Sequence, residues 1–144
     1  MKQDDRYVIP SLERAVLVLG ILAGEPKGMS LADLARRTEI PKSSLFRILV
    51  TLQKHHCVAA DVEGRTFRLG SYLWELGSRF ADQSDLFRIS DSYMSDLADE
   101  VGETVFLSKL EEGEVVYLRR VESPKSIAAV RKLESRAPIH CTAT

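Results

Sequence analysis

Within the thirteen residues 42–54, Lys42, Ser43, Ser44, Arg47, Thr51 and Lys54 bring cationic and hydroxyl donors together at steps of three and four. On a helix such steps share one side, with Ser43 and Ser44 projecting beside Arg47. An arginine offers two parallel hydrogen bonds to guanine O6 and N7, a lysine suits a phosphate, and serine or threonine serves either. The chemistry implied is recognition of a DNA edge, with Arg47 as the base reader and Lys42 on the backbone. Taken alone, an exposed basic residue is more often part of a solvated helix face, so the reading depends on the elements that carry these side chains.

Other reactive residue types give no comparable arrangement. His55, His56 and Cys57 are consecutive at a helix end, where neighbours point in different directions, and no spaced second set of ligands accompanies them. His140 and Cys141 are neighbours too, which on a strand face opposite sides and cannot work as base and nucleophile. No phosphate cradle is present. The expectation is a chain with no catalytic residues, no metal and no cofactor.

The donors need a helix to hold them, and the sequence supplies one. Pro41 suits a first helical turn, and Leu45, Ile48, Leu49 and Leu52 make the i, i+3, i+4, i+7 stripe of a buried face, which turns the donors outward. Before it, Ser30-Leu31-Ala32-Asp33 has the spacing of a capping box, and Leu31, Leu34 and Ala35 give a second helix one apolar side, ending near Arg37 or Thr38. A first helix is expected from an N-cap at Ser11, with Leu12, Ala15, Val16, Leu19 and Leu22 or Ala23 inward, and Gly24 and Pro26 end it. After the third helix, residues 57–61 and 66–69 read as strands about a turn at 62–65, where Gly64 can take a positive φ. Helix, helix, tight turn, helix, hairpin is the order of a winged helix-turn-helix, whose last helix enters the major groove. Arg65 sits at the hairpin tip. Arg36 and Arg37 either touch the DNA backbone or complement the C-terminal dipole of their own helix.

Leu73, Leu76 and Phe80, with Trp74 beside them, mark a further helix whose apolar side suits packing or a dimer contact better than a ligand. A break at Gln83-Ser84 precedes a helix over 85–101 with Leu86, Ile89, Tyr93, Met94 and Leu97 inward. Strand-like runs follow at 104–110, 115–121 and 127–131, with a turn at 111–114. The fold class is α+β: a winged helix-turn-helix over 8–70, a linker or dimerisation helix over 71–84, and part of an α+β domain over 85–144.

Composition agrees with this division. The 144 residues are 44% hydrophobic and 28% charged, which suits a chain that buries a core. Net charge is −1, but residues 1–70 hold 11 Lys and Arg against 8 Asp and Glu, whereas 71–144 hold 9 against 13. A polyanion partner belongs to the first half, and residues 27–68 concentrate the excess with 8 cations against 4 anions. Two distant cysteines and the lack of a charged-then-apolar leader point to a cytoplasmic protein, and no apolar run approaches the roughly 20 residues of a membrane span.

Ser30-Leu31-Ala32-Asp33-Leu34-Ala35, followed by Ile40-Pro41-Lys42-Ser43-Ser44-Leu45-Phe46-Arg47-Ile48-Leu49, resembles the IclR family of bacterial regulators. Ile9 to Ala15 is similar to that family's first helix, Arg68-Leu69-Gly70 to its wing exit, and Ala137 to Ala143 to its ligand-binding domain. The resemblance spans essentially the whole chain. It implies a homodimer or dimer of dimers on a double-stranded operator, a linker helix that helps dimerise, and a GAF-like domain that binds a small-molecule effector in the full-length protein. It also implies repression more often than activation, and places Thr142, Ala143 and Thr144 on the effector pocket wall. Two departures stand out. Glu39 occupies the turn position where the family commonly has Gly, and the sequence stops at Thr144, where the family continues, as a fragment would. Effector control is then expected to be lost or crippled in this chain. The rival reading from residues alone is a protein-interaction module that uses the winged helix without reading DNA.

Overall fold

The computed structural model describes residues 5–122 and 136–138. The chain divides into two compact units, Met1–Phe80 and Ala81–Thr144. Both mix helix and sheet, so the α+β class holds.

The first unit opens with a 3-10 turn at Asp5–Tyr7 and then α1, Pro10–Ala23. Proline at the first helical position loses no useful donor, so the helix starts there with Ile9 as its N-cap and not, as the sequence suggested, from a cap at Ser11. Its inward side matches the expected one in part, at Ala15, Leu19 and Leu22. Val18 and Leu22 are buried and Leu19 and Ile21 pack against them, while Leu12 and Val16 are 60% and 69% exposed. The apolar residues of α1 run nearly all round the helix, so periodicity alone leaves the buried side undetermined.

A two-residue strand β1, Met29–Ser30, which periodicity could not reveal, leads directly into α2, Leu31–Thr38. Ser30 caps α2 by accepting from the Asp33 amide at 3.1 Å, and its hydroxyl donates to the Asp33 carboxylate at 2.6 Å. Leu34 is fully buried. Glu39 closes α2 with φ 57° and ψ 14°, a left-handed backbone that strains any residue with a Cβ. Thr38 steadies the turn by donating to the Leu34 carbonyl at 2.7 Å and accepting from the Ile40 amide at 3.3 Å. Replacing Glu39 with Gly is expected to stabilise the first unit by roughly 0.5–1 kcal/mol, net of glycine's greater chain entropy. Urea denaturation of the two proteins side by side measures this.

The third helix, α3, spans Lys42–Lys54. Pro41 stands one position outside it, as the N-cap with ψ 135°, and not within the first turn. Leu45 and Leu49 are fully buried, and with Val18, Leu22, Leu34, Ile40, Val58 and Phe67 they form one continuous core. The hairpin is β2, Val58–Ala60, and β3, Thr66–Leu69; β3 is central, antiparallel to β1 on one side and β2 on the other. Two glycines make this sheet possible. Gly28 has φ +78°, and a Cβ there would meet the Phe67 carbonyl oxygen at 2.8 Å; a Cβ on Gly70 would overlap the His56 carbonyl oxygen. The next helix, α4, covers Ser71–Asp82 and fully buries none of its side chains within the described residues.

In the second unit, α5 spans Asp85–Val101 and ends on Gly102 at φ 73°. Its buried residues are Met94, expected inward, and Ala98, whereas Leu86, Ile89, Tyr93 and Leu97, also expected inward, are exposed. Met94 and Ala98 lie about a quarter-turn from that exposed stripe, and α5 packs on the sheet that follows it. That sheet has the order β4-β5-β6, with β4 at Val105–Glu111, β5 at Glu114–Val121 and β6 at Arg136–Pro138, all antiparallel. Glu112 and Gly113, at φ 50° and 85°, form a two-residue hairpin turn within the expected 111–114. Phe106 and Tyr117 meet edge to face, and Arg119 pairs with Asp91 of α5 at 2.8 Å. The strand expected over 127–131, and Thr142, Ala143 and Thr144, lie outside the described residues.

Candidate nucleic-acid interface

The core fixes what α3 presents outward. With Leu45 and Leu49 at zero exposure and Ile48 and Leu52 partly covered, Lys42, Ser43, Arg47, Thr51 and Lys54 are exposed and Ser44 is half-buried. The structure thus brings the donors of the third helix onto one accessible side. Thr51 is turned partly back on its own helix, its hydroxyl donating to the Arg47 carbonyl at 2.9 Å, which leaves the oxygen free to accept.

Ion pairing separates these cations, like Arg14, Lys27 and Arg68, from Arg36, Arg37 and Arg65. Among the described residues, Lys42, Arg47 and Lys54 form no ion pair. Arg36 is paired with Asp33, and Arg37 Nη1 lies 2.7 Å from Glu25 Oε1, which ties α2 to the segment after α1. Arg65, at the hairpin tip, contacts Glu63 through Nε at 3.0 Å. All three pairs are solvent-exposed and individually weak, so a phosphate can displace the carboxylate. Even so, Arg36 and Arg37 have structural partners that the α3 cations lack.

The hairpin tip is braced by Asp61. One carboxylate oxygen accepts from the Arg65 amide at 2.6 Å and the Thr66 amide at 3.2 Å, and the other accepts from the Thr66 hydroxyl at 3.0 Å. The Thr66 amide, followed by those of Arg65 and the Thr66 hydroxyl, holds this carboxyl below its ordinary pKa. A depressed carboxylate stabilises the folded tip at neutral pH and loses that contribution as pH falls through its folded-state pKa. An amide-resolved acid titration should therefore show the Arg65 and Thr66 amide protons shifting together, with a midpoint below that of an ordinary aspartate. Asp61→Ala should remove the transition and speed exchange of both amides at neutral pH.

Three residues that the sequence did not single out join the site. Arg14 of α1 lines a groove of about 450 Å³ together with Ser44, Arg47 and Thr51. Leaving Leu12, which lines the same groove, out of the α1 core is the signal that would have found it. Phe46 and Val50 are the others; although apolar, they stand exposed beside Ser43 and Arg47.

Among the described residues no three His, Cys, Asp or Glu side chains are grouped to hold a metal, and no helix is long and apolar enough to cross a membrane. Comparison with known proteins agrees with the geometry. Residues 11–61 match the IclR helix-turn-helix domain, and residues 78–144 match the bacterial transcriptional regulator IclR C-terminal domain. The HTH-type transcriptional regulator KdgR of Dickeya chrysanthemi is 30% identical over 135 residues, covering 92% of this chain and 44% of that protein. A crystal structure of an IclR transcriptional regulator from Alicyclobacillus acidocaldarius superposes with a TM-score of 0.74 at 30% identity, covering 93% of this chain and 55% of that one. An IclR homologue from Microbacterium hydrocarbonoxydans, solved with 4-hydroxybenzoate, gives a TM-score of 0.72 at 26% identity, covering 90% and 54%. The chain spans about half the length of the curated relatives it matches. With both of its parts matched and its three-helix-and-hairpin order in place, the chain belongs to the IclR family of bacterial transcriptional regulators.

Proposed function

We propose that this chain binds operator DNA in a sequence-specific manner, as the reading part of a cytoplasmic transcription regulator, with repression as the expected sign. The observation that carries the reading is the exposed side of α3, where Lys42, Arg47 and Lys54 have no ion-pair partner among the described residues and stand with Ser43 and Thr51. Arg47 reads a guanine edge, Lys42 and Ser43 hold phosphates, and Ser44 and Thr51 line the same groove as Arg14, which extends the contact onto α1. Arg65 places the wing against the backbone, and Arg36 and Arg37 contribute by exchanging their carboxylate partners for phosphate.

Two copies would place their α3 helices in successive major grooves about 34–36 Å apart. Trp74 and Leu76, exposed on α4, suit the contact between copies. The effector is a small molecule, as with the homologue solved with 4-hydroxybenzoate, and it acts by binding one dimer arrangement more tightly than another. Thr142, Ala143 and Thr144 are its proposed contacts. Family membership and the site's donor chemistry support a binding protein and not an enzyme.

Fluorescence anisotropy of the chain on duplexes from the flanks of its own gene, at two salt concentrations, tests the reading. Saturable binding to particular fragments that weakens steeply with salt is the expected result. Equal, weak binding to all fragments would leave the protein-interaction reading in its place.

A further inference from the structure

Phe46 is 52% exposed and Val50 46% exposed on a helix whose other outward residues are donors. They are four apart, so they stack on one side of α3, and Phe46 lies three from Ser43 while Val50 lies three from Arg47. Ser43, Phe46, Arg47 and Val50 therefore form a contiguous patch, half apolar and half donor. Neither apolar side chain belongs to the core formed by Leu45 and Leu49 on the other side of the helix. In a DNA major groove one group alone is apolar, the C5-methyl of thymine.

We propose that Phe46 and Val50 are specificity residues that select thymine, their side chains covering C5-methyl groups beside the guanine held by Arg47. This rests on α3 being the DNA-reading helix. It deepens that reading by naming the base: each half-site carries thymine one or two steps from the Arg47 guanine. Arginine alone specifies guanine and leaves the neighbouring pairs unread. The apolar pair supplies discrimination there without a hydrogen bond, because cytosine offers no methyl and a purine presents only polar edges.

The test is to enrich duplexes from a random-sequence pool with the full chain, then remake the best of them with deoxyuridine replacing each thymidine in turn. Uracil keeps every hydrogen bond of thymine and lacks only the methyl, so the wild-type arm needs no variant to fold. One buried methyl corresponds to about 3- to 5-fold in affinity. Loss of that size at one or two positions per half-site is expected, with Phe46→Ala and Val50→Ala each losing the methyl sensitivity at the position its side chain covers. A purely structural role for Phe46 would weaken both duplexes alike and preserve the ratio between them. If duplexes are enriched but no uracil substitution matters, or if Phe46→Ala keeps the full methyl sensitivity, the thymine assignment is overturned while DNA reading by α3 stands. If the pool yields no enriched sequence, the DNA reading itself fails, and this assignment with it.

Discussion

Arg47→Ala is expected to weaken binding to the preferred duplex by about 5- to 150-fold, while affinity for an unrelated duplex of the same length changes far less. The range is that of a bidentate arginine–guanine contact, about 1–3 kcal/mol of discrimination. The guanidinium is exposed, lies on the outward side of α3 and has no carboxylate to leave among the described residues, so its removal costs the complex without disturbing the core. Lys42→Ala is the internal contrast. A phosphate contact carries no sequence information, so its loss should weaken all duplexes alike and reduce the slope of log affinity against log salt by about one. Anisotropy titrations on two duplexes at several salt concentrations separate the two behaviours. An Arg47→Ala variant that retains its preference between duplexes would remove Arg47 from the base edge.

Leu49→Ala should produce the largest loss of stability. The side chain is fully buried in the core shared by α1, α2, α3 and the hairpin, and truncation leaves a cavity that the surrounding elements fill only in part. Such changes cost about 2–5 kcal/mol. For a unit of this size each kcal/mol lowers the melting temperature by about 4–8 °C, so a fall of about 10 °C or more is expected in far-ultraviolet circular dichroism. The effect reaches function because Leu49 lies one turn from Leu45 on the stripe that fixes how α3 is rotated. If Leu49→Ala melts within a degree or two of the wild type, this core does not hold the helix.

What the sequence revealed, and what it hid, follows from local physics. The bounds of α2, α3 and α5 were legible to within one or two residues because each carries its own signal: the Ser30 cap, the Leu45–Leu49 stripe and the terminal Gly102. The donor side of α3 was legible for the same reason, since a clean apolar stripe dictates its opposite. Glu39 was legible only through the family resemblance, as a residue standing where Gly is common, and its left-handed backbone is the physical reason for that preference. The buried sides of α1 and α5 were legible only in part: Leu19, Leu22 and Met94 face inward as expected, whereas Leu12, Val16, Tyr93 and Leu97 do not. Each offers more than one apolar stripe, and only the tertiary partner selects between them, which is how Ala98 comes to be buried and Tyr93 exposed. Strand β1 was invisible because two residues carry no alternation and its partner Phe67 is remote in sequence. Phe46 and Val50 escaped notice because they belong neither to the Leu45–Leu49 stripe nor to the donors opposite it, and Arg14 because Leu12, which lines the same groove, was taken as inward.

Whether the outward side of α3 meets DNA can be read from the backbone amide shifts of the labelled chain as an enriched duplex is added. The largest changes are expected on Lys42 to Lys54, with smaller ones at Arg14 and at the Arg65 wing tip, and none on β4 or β5. Changes concentrated on the second unit, with α3 unmoved, would contradict it.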